Sequence, residues 1–71
     1  MDQQHLVRMA NSIGDFFEAM PDRQEALDGI AGHIKRFWEP RMRKEMMAYV
    51  NGGGQGLHEL VREAIAGDRI A

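Results

Sequence analysis

Residues 22–40 read DRQEALDGIAGHIKRFWEP. Within them Ala26, Leu27, Ile30, Ile34, Phe37 and Trp38 recur at three- and four-residue spacings, the period of a helix with one apolar face. Asp22 stands where an N-cap belongs, with Glu25 three residues on in a capping-box-like arrangement. Lys35 and Arg36 fall in the last turn, where positive charge suits the helix dipole. Pro40 then stops the helix, and its fixed φ suits the first position of another. The stretch predicts a helix over 22–38 with a second one following at once.

The same period extends in both directions. Upstream, Leu6, Met9, Ile13, Phe16, Phe17 and Met20 predict a helix over about 3–19, capped by Asp2 and stopped by Pro21. Downstream, Met42, Met46, Met47 and Val50 predict a helix over 40–50, ended by Asn51-Gly52. A glycine hinge at 52–56 precedes a short helical segment over 57–66, with Leu57, Leu60, Val61, Ala64 and Ile65 on one face. Nothing alternates with period two, so strands are not expected. The fold class is all-α: one domain, 1–71, built as a small helical bundle of three to four short helices. Connections this short force sequential helices to pack as neighbours.

Composition removes whole classes of function. A chain of 71 residues holds one domain, and a domain of this size buries only about 60% of the surface its unfolded chain exposes. Hydrophobic residues at 44% and charged residues at 28% make a globular balance. With no cysteine there are no disulfides, thiolate zinc sites or cysteine nucleophiles. Threonine is absent and Ser12 is the single serine, which leaves almost nothing for a hydroxyl nucleophile. No apolar run approaches the roughly 18 residues that span a bilayer. The first residues carry no basic n-region and lead into no apolar h-region, so no signal peptide is expected. These features predict a cytoplasmic, non-enzymatic domain with no catalytic, cofactor or metal site of its own.

Charge is distributed unevenly behind a net −2. From Asp15 to Asp28 there are five acids and one base, a net −4; from Lys35 to Lys44 there are five bases and one acid, a net +4. Arg41, Arg43 and Lys44 crowd the first turn of the 40–50 helix, where cations are disfavoured, and Trp38 stands just before them. Clustered arginine beside tryptophan is an interface signature; a solvated charge run is the plainer reading. The basic turn 41–44 also admits a nucleic-acid-binding regulator, although one short turn in an acidic chain argues weakly for it. The glycine loop has no strand before it and no lysine after it, so it is no phosphate cradle.

The three histidines, His5, His33 and His58, lack metal-ligand spacing. His33 borders the apolar stripe of 22–38, which makes it a hydrogen-bonded boundary residue or a partner contact. Gly14, Gly29 and Gly32 fall inside helices, each at a cost of about 1 kcal/mol relative to alanine. Close crossing of helices within the chain explains such notches, and a second protein lying against them is the alternative. Phe16-Phe17 and Phe37-Trp38 are adjacent pairs whose members point about 100° apart, so a thin bundle is not expected to bury all four. Notches, surplus aromatics and a methionine face together favour a subunit or accessory protein over a free-standing one.

At these residues the sequence resembles a known family. Leu6-Val7-Arg8-Met9-Ala10-Asn11, Ile13, Phe16-Phe17, Ala26, Ile30 and His33 carry the likeness. The block Phe37-Trp38-Glu39-Pro40-Arg41-Met42-Arg43 continues it, and Gly53, Gly56-Leu57, Val61-Arg62 and Ala64 complete it. The family is that of the delta subunits of soluble NAD-dependent, molybdenum-containing formate dehydrogenases. Glu39 stands where aspartate is usual, and Lys44-Glu45 is more charged than the family pattern.

The resemblance implies a non-catalytic accessory subunit that binds the alpha subunit and supports its assembly, cofactor insertion or stability. The bis-pterin molybdenum cofactor, iron–sulfur clusters and flavin are then expected on the partner subunits, and none on this chain alone. His33, Trp38, Pro40, Arg41 and Arg43 are the expected partner contacts, with the arginines meeting an acidic patch or a phosphate-bearing cofactor edge. An isolated subunit of this kind is also a candidate to self-associate through its partner surface.

Overall fold

The computed structural model describes residues 2–67 and 69–71. Four helices form, α1 (Gln3–Phe17), α2 (Arg23–Phe37), α3 (Pro40–Asn51) and α4 (Glu59–Ile65), and there is no strand among the described residues. The architecture is all-α, as the periodicity predicts. No described helix is long and apolar enough to cross a membrane.

The helix ends follow local chemistry. Asp2 and Asp22 cap α1 and α2, their carboxylates accepting from the backbone N–H of Gln4 at 3.2 Å and of Gln24 at 3.0 Å. α1 ends at Phe17, two residues before the expected 19, because Met20 N donates back to Phe17 O at 3.0 Å and tightens the chain into a turn ahead of Pro21. α2 ends at Phe37, since Trp38 has already gone extended at ψ 140°. Pro40 occupies the start of α3, which runs one residue past its expected end to Asn51. α4 begins at Glu59 rather than 57 because the His58 ring is its N-cap, accepting from Leu60 N at 3.1 Å.

The short fourth helix sits in the middle of the packing. Leu60, Val61, Ala64 and Ile65 are buried against Leu6 and Ala10 of α1, Leu27, Ile30 and Ile34 of α2 and Met46 of α3, and Ile70 closes the same core. Met42 and Met47 pack partly buried beside them, so the methionine face of α3 is spent largely on the core. Gly14 makes the arrangement sterically possible. A Cβ there would lie 2.7 Å from His58 Cγ and 2.8 Å from Val61 Cγ2, closer than real side-chain contacts come. Gly29 does the same for α1 against α2, where a Cβ would lie 2.7 Å from Phe17 Cδ1.

The expected hinge at 52–56 is a pinned turn. Gly54 is buried at φ +60°, a conformation that L side chains rarely adopt, and the Arg62 side chain packs on it. Tyr49 Oη donates to Gln55 O. Asn11 of α1 donates its Nδ2 to Gly56 O at 3.0 Å and accepts the His58 N–H at 2.7 Å. Glycine supplies the positive φ that lets the chain reverse, and the loop is then held by side chains from both flanking elements.

Two substitutions test this account. Gly14→Ala improves helix propensity yet is expected to destabilise the chain by about 1–3 kcal/mol, because His58 and Val61 must be displaced. Arg43→Ala removes two hydrogen bonds, at 2.8 and 3.3 Å, to the Trp38 and Lys35 carbonyls at the end of α2. It is expected to cost about 1–2 kcal/mol. Urea unfolding of each variant reads both effects.

Candidate functional site

The largest exposed apolar groups cluster on α1 and α2. Phe16 is 75% exposed and Phe37 is 64% exposed, far above what a core-forming aromatic shows. They are the ends of a continuous row of rings. Phe16 meets Phe17 edge-on at 5.1 Å between centroids, Phe17 meets His33 at 6.5 Å, and His33 meets Phe37 at 4.9 Å. The helical register explains the row: His33 and Phe37 are one turn apart on α2, and Phe17 crosses onto them over Gly29. A shallow apolar depression lies between Ser12, Ile13, Phe16, Phe17 and His33. A second lies over Gly29 and Gly32 between Asp28, His33, Arg36 and Phe37.

The five residues expected at a partner contact are not brought to one place. His33 is half-buried in the middle of the ring row. Trp38 is 5% exposed and belongs to the core, while its neighbour Phe37 faces solvent. Arg43 turns back onto α2, where its guanidinium holds the Trp38 and Lys35 carbonyls, and its Nε is buried without a partner. A cation at the carboxyl end of α2 is favourably placed, which resolves the disfavoured charge read at the start of α3. Pro40 and Arg41 remain exposed in the first turn of α3.

A second cluster joins α1 to the start of α4. His58 Nε2 lies 2.6 Å from Glu18 Oε1 and 3.6 Å from Asp15 Oδ1. One ligand atom from each of these residues falls within 4.8 Å of the others, so the trio has the spacing of a cation site. Its hydrogen bonding points elsewhere. Because His58 Nδ1 accepts from Leu60 N, the neutral ring carries its proton on Nε2 and donates it to Glu18. A metal on Nε2 needs the opposite tautomer, with Nδ1–H donating to an acceptor, and would set that hydrogen against the Leu60 N–H. The trio is therefore a cap and tether that fixes α4 on α1.

Residues 5–65 match the family described as NADH-dependent formate dehydrogenase delta subunit FdsD. The chain belongs to this family. No curated protein and no solved structure matches it.

For a delta subunit of a multisubunit enzyme, the ring row is the feature that sequence reasoning located only in part. The adjacent pairs Phe16-Phe17 and Phe37-Trp38 signalled surplus aromatic surface, but the pattern did not tell which member of the second pair faces out. The tertiary contacts of Asn11 and His58 carried no sequence signal, since their partners lie 40 to 47 residues away. His58→Ala should cost about 1–2 kcal/mol, through loss of the α4 cap and the bond to Glu18. Micromolar zinc should leave the thermal midpoint of the wild-type chain unchanged; a rise of several degrees would overturn the tautomer argument.

Proposed function

We propose that this chain is a non-catalytic accessory subunit that binds the alpha subunit of its formate dehydrogenase. There it supports assembly, cofactor insertion or stability of the subunit that holds the molybdenum cofactor. The observation that carries the reading is the exposed ring row from Phe16 to Phe37 in a member of the delta-subunit family. A domain of 71 residues with a buried core and two phenylalanines in water has apolar surface that a partner can cover. The chain has no cysteine to ligate an iron–sulfur cluster. Its surface depressions are shallow and far too small to enclose a bis-pterin cofactor, so redox chemistry falls to the larger subunits.

His33 takes part through the ring row, and Pro40 and Arg41 form a second point of contact at the start of α3. The nucleic-acid reading of the basic turn 41–44 loses support from the geometry, because Arg43 is spent on the α2 carbonyls and only Arg41 and Lys44 remain in solvent. A cytoplasmic location follows from the same reading, since the family's electron acceptor is NAD.

The test is a tagged pull-down from native cell extract, with metal analysis and formate-dependent NAD reduction measured on the eluate. Recovery of a large molybdenum- or tungsten-containing subunit with that activity is expected. An eluate holding only the 8.1 kDa chain would overturn the proposal. Arg41→Ala is expected to lower recovery of the large subunit severalfold without changing the unfolding midpoint, because the Arg41 side chain makes no hydrogen bond or ion pair within the described residues.

A further inference from the structure

His58 serves two attachments with one ring. Its Nδ1 accepts the Leu60 N–H at 3.1 Å, which caps α4, and its Nε2 reaches Glu18 Oε1 at 2.6 Å, which ties α4 to α1. Only the neutral ring with its proton on Nε2 does both. A protonated imidazole carries hydrogen on both nitrogens and accepts from neither. The added hydrogen on Nδ1 points at the Leu60 N–H, donor against donor. The cap is therefore lost when the ring takes up a proton.

The same proton leaves the other attachment stronger. Glu18 becomes a charge-assisted partner, and Asp15 Oδ1, 3.6 Å from Nε2, supplies a second carboxylate. Glu59 and Arg23 line the depression beside the ring, and Arg23 is already paired with Glu63. α3 supplies none of the ring's hydrogen-bond or ion-pair partners among the described residues. A charged ring thus stands among the carboxylates of Asp15, Glu18 and Glu59. It also has little room to retreat: it lies on Gly14, where a Cβ would come within 2.7 Å of its Cγ, and its side chain is 17% exposed.

We propose that His58 is a proton-operated catch on α4. Neutral, it holds α1 and the first turn of α4 together; protonated, it keeps its hold on α1 and lets the first turn of α4 go. What gives is the backbone at Glu59 and Leu60. The first backbone bond there, from Arg62 N to His58 O at 3.0 Å, is left without the cap beside it. A seven-residue helix has few further bonds with which to resist. The catch stands on this chain's own contacts and goes beyond the accessory-subunit reading.

The experiment follows the full chain, labelled with nitrogen-15, by NMR from about pH 8 to about pH 5, the span in which imidazole is the side chain that changes charge. Ring shifts are expected to show the Nε2–H tautomer at the alkaline end. As the ring takes up its proton, the Leu60 amide shift is expected to move with the same midpoint. Its protection against hydrogen exchange, corrected for the intrinsic pH dependence of exchange, should fall about fivefold, the effect of losing a typical cap. Ile30, on the buried face of α2, should keep its protection. His58→Asn caps without titrating and should hold Leu60 protection level throughout.

A neutral ring with its proton on Nδ1, or a ring still neutral at the acid end, would overturn the proposal. So would Leu60 protection that stays level while the ring titrates, or a fall shared equally by Ile30 or by His58→Asn. The comparison of ring and Leu60 midpoints needs no variant, so it decides the matter even where His58→Asn does not fold.

Discussion

Val61 and the ring of His58 occupy the space that any side chain at position 14 would fill, and the remaining packing is arranged around that contact. A seven-residue helix is too short to persist alone, because nucleation is costly and few bonds follow it. α4 exists because it is clamped: capped by His58, tethered by His58 to Glu18, and aligned by Asn11, which holds both the residue before Leu57 and the residue after it. With α4 in place, Leu60, Val61, Ala64 and Ile65 complete a core that α1, α2 and α3 could not close by themselves. The glycine at 14 therefore has an energetic return that outweighs its conformational cost, and the pinned loop of residues 52–56 is the route by which the chain reaches it.

Charge serves the same end. The basic cluster at the start of α3 looks misplaced along the sequence, because cations oppose the dipole of their own helix. In space Arg43 addresses a different helix, binding carbonyls that α2 leaves unsatisfied at its end, and so fixes the angle between α2 and α3 across a two-residue connection. Arg23 of α2 pairs with Glu63 of α4, and that hydrogen-bonded carboxylate raises the guanidinium pKa still further. Both partners are well exposed, so this link orients α4 more than it stabilises it.

The order of helices was legible because apolar spacing, aspartate caps and two prolines agree with one another. Their ends were off by one or two residues, where a backbone bond such as Met20 to Phe17, or a histidine cap, decided the matter locally. The site was legible only as a surplus. Phe37 and Trp38 are adjacent in sequence and both fit a stripe that is mostly core; which ring turns inward is set by the extended backbone at Trp38, and periodicity carries no information about that. Arg43 was read as surface because its acceptors are main-chain carbonyls, which leave no trace in a sequence. Asn11 and His58 were silent because their tertiary partners lie 40 to 47 residues away along the chain.

Most of the large apolar side chains among the described residues are used within the molecule. Gly14 and Gly29 are filled, Arg43 and Asn11 are used, and the methionines of α3 mostly line the core. Against that background Phe16, Phe37 and Gly32 stand out as stability not taken. Burial of one phenylalanine contributes about 1.5–3 kcal/mol, and exchange of an unneeded helical glycine for alanine about 1 kcal/mol. A domain this small has little surplus to forgo. Leaving those gains open on a single contiguous face makes sense if a partner supplies them, because anything that binds the folded chain and not the unfolded one adds its free energy to folding. On the accessory-subunit proposal the same coupling runs in both directions: a partner that covers the face is itself stabilised by the contact, so modest stability alone and firm stability in a complex are one property.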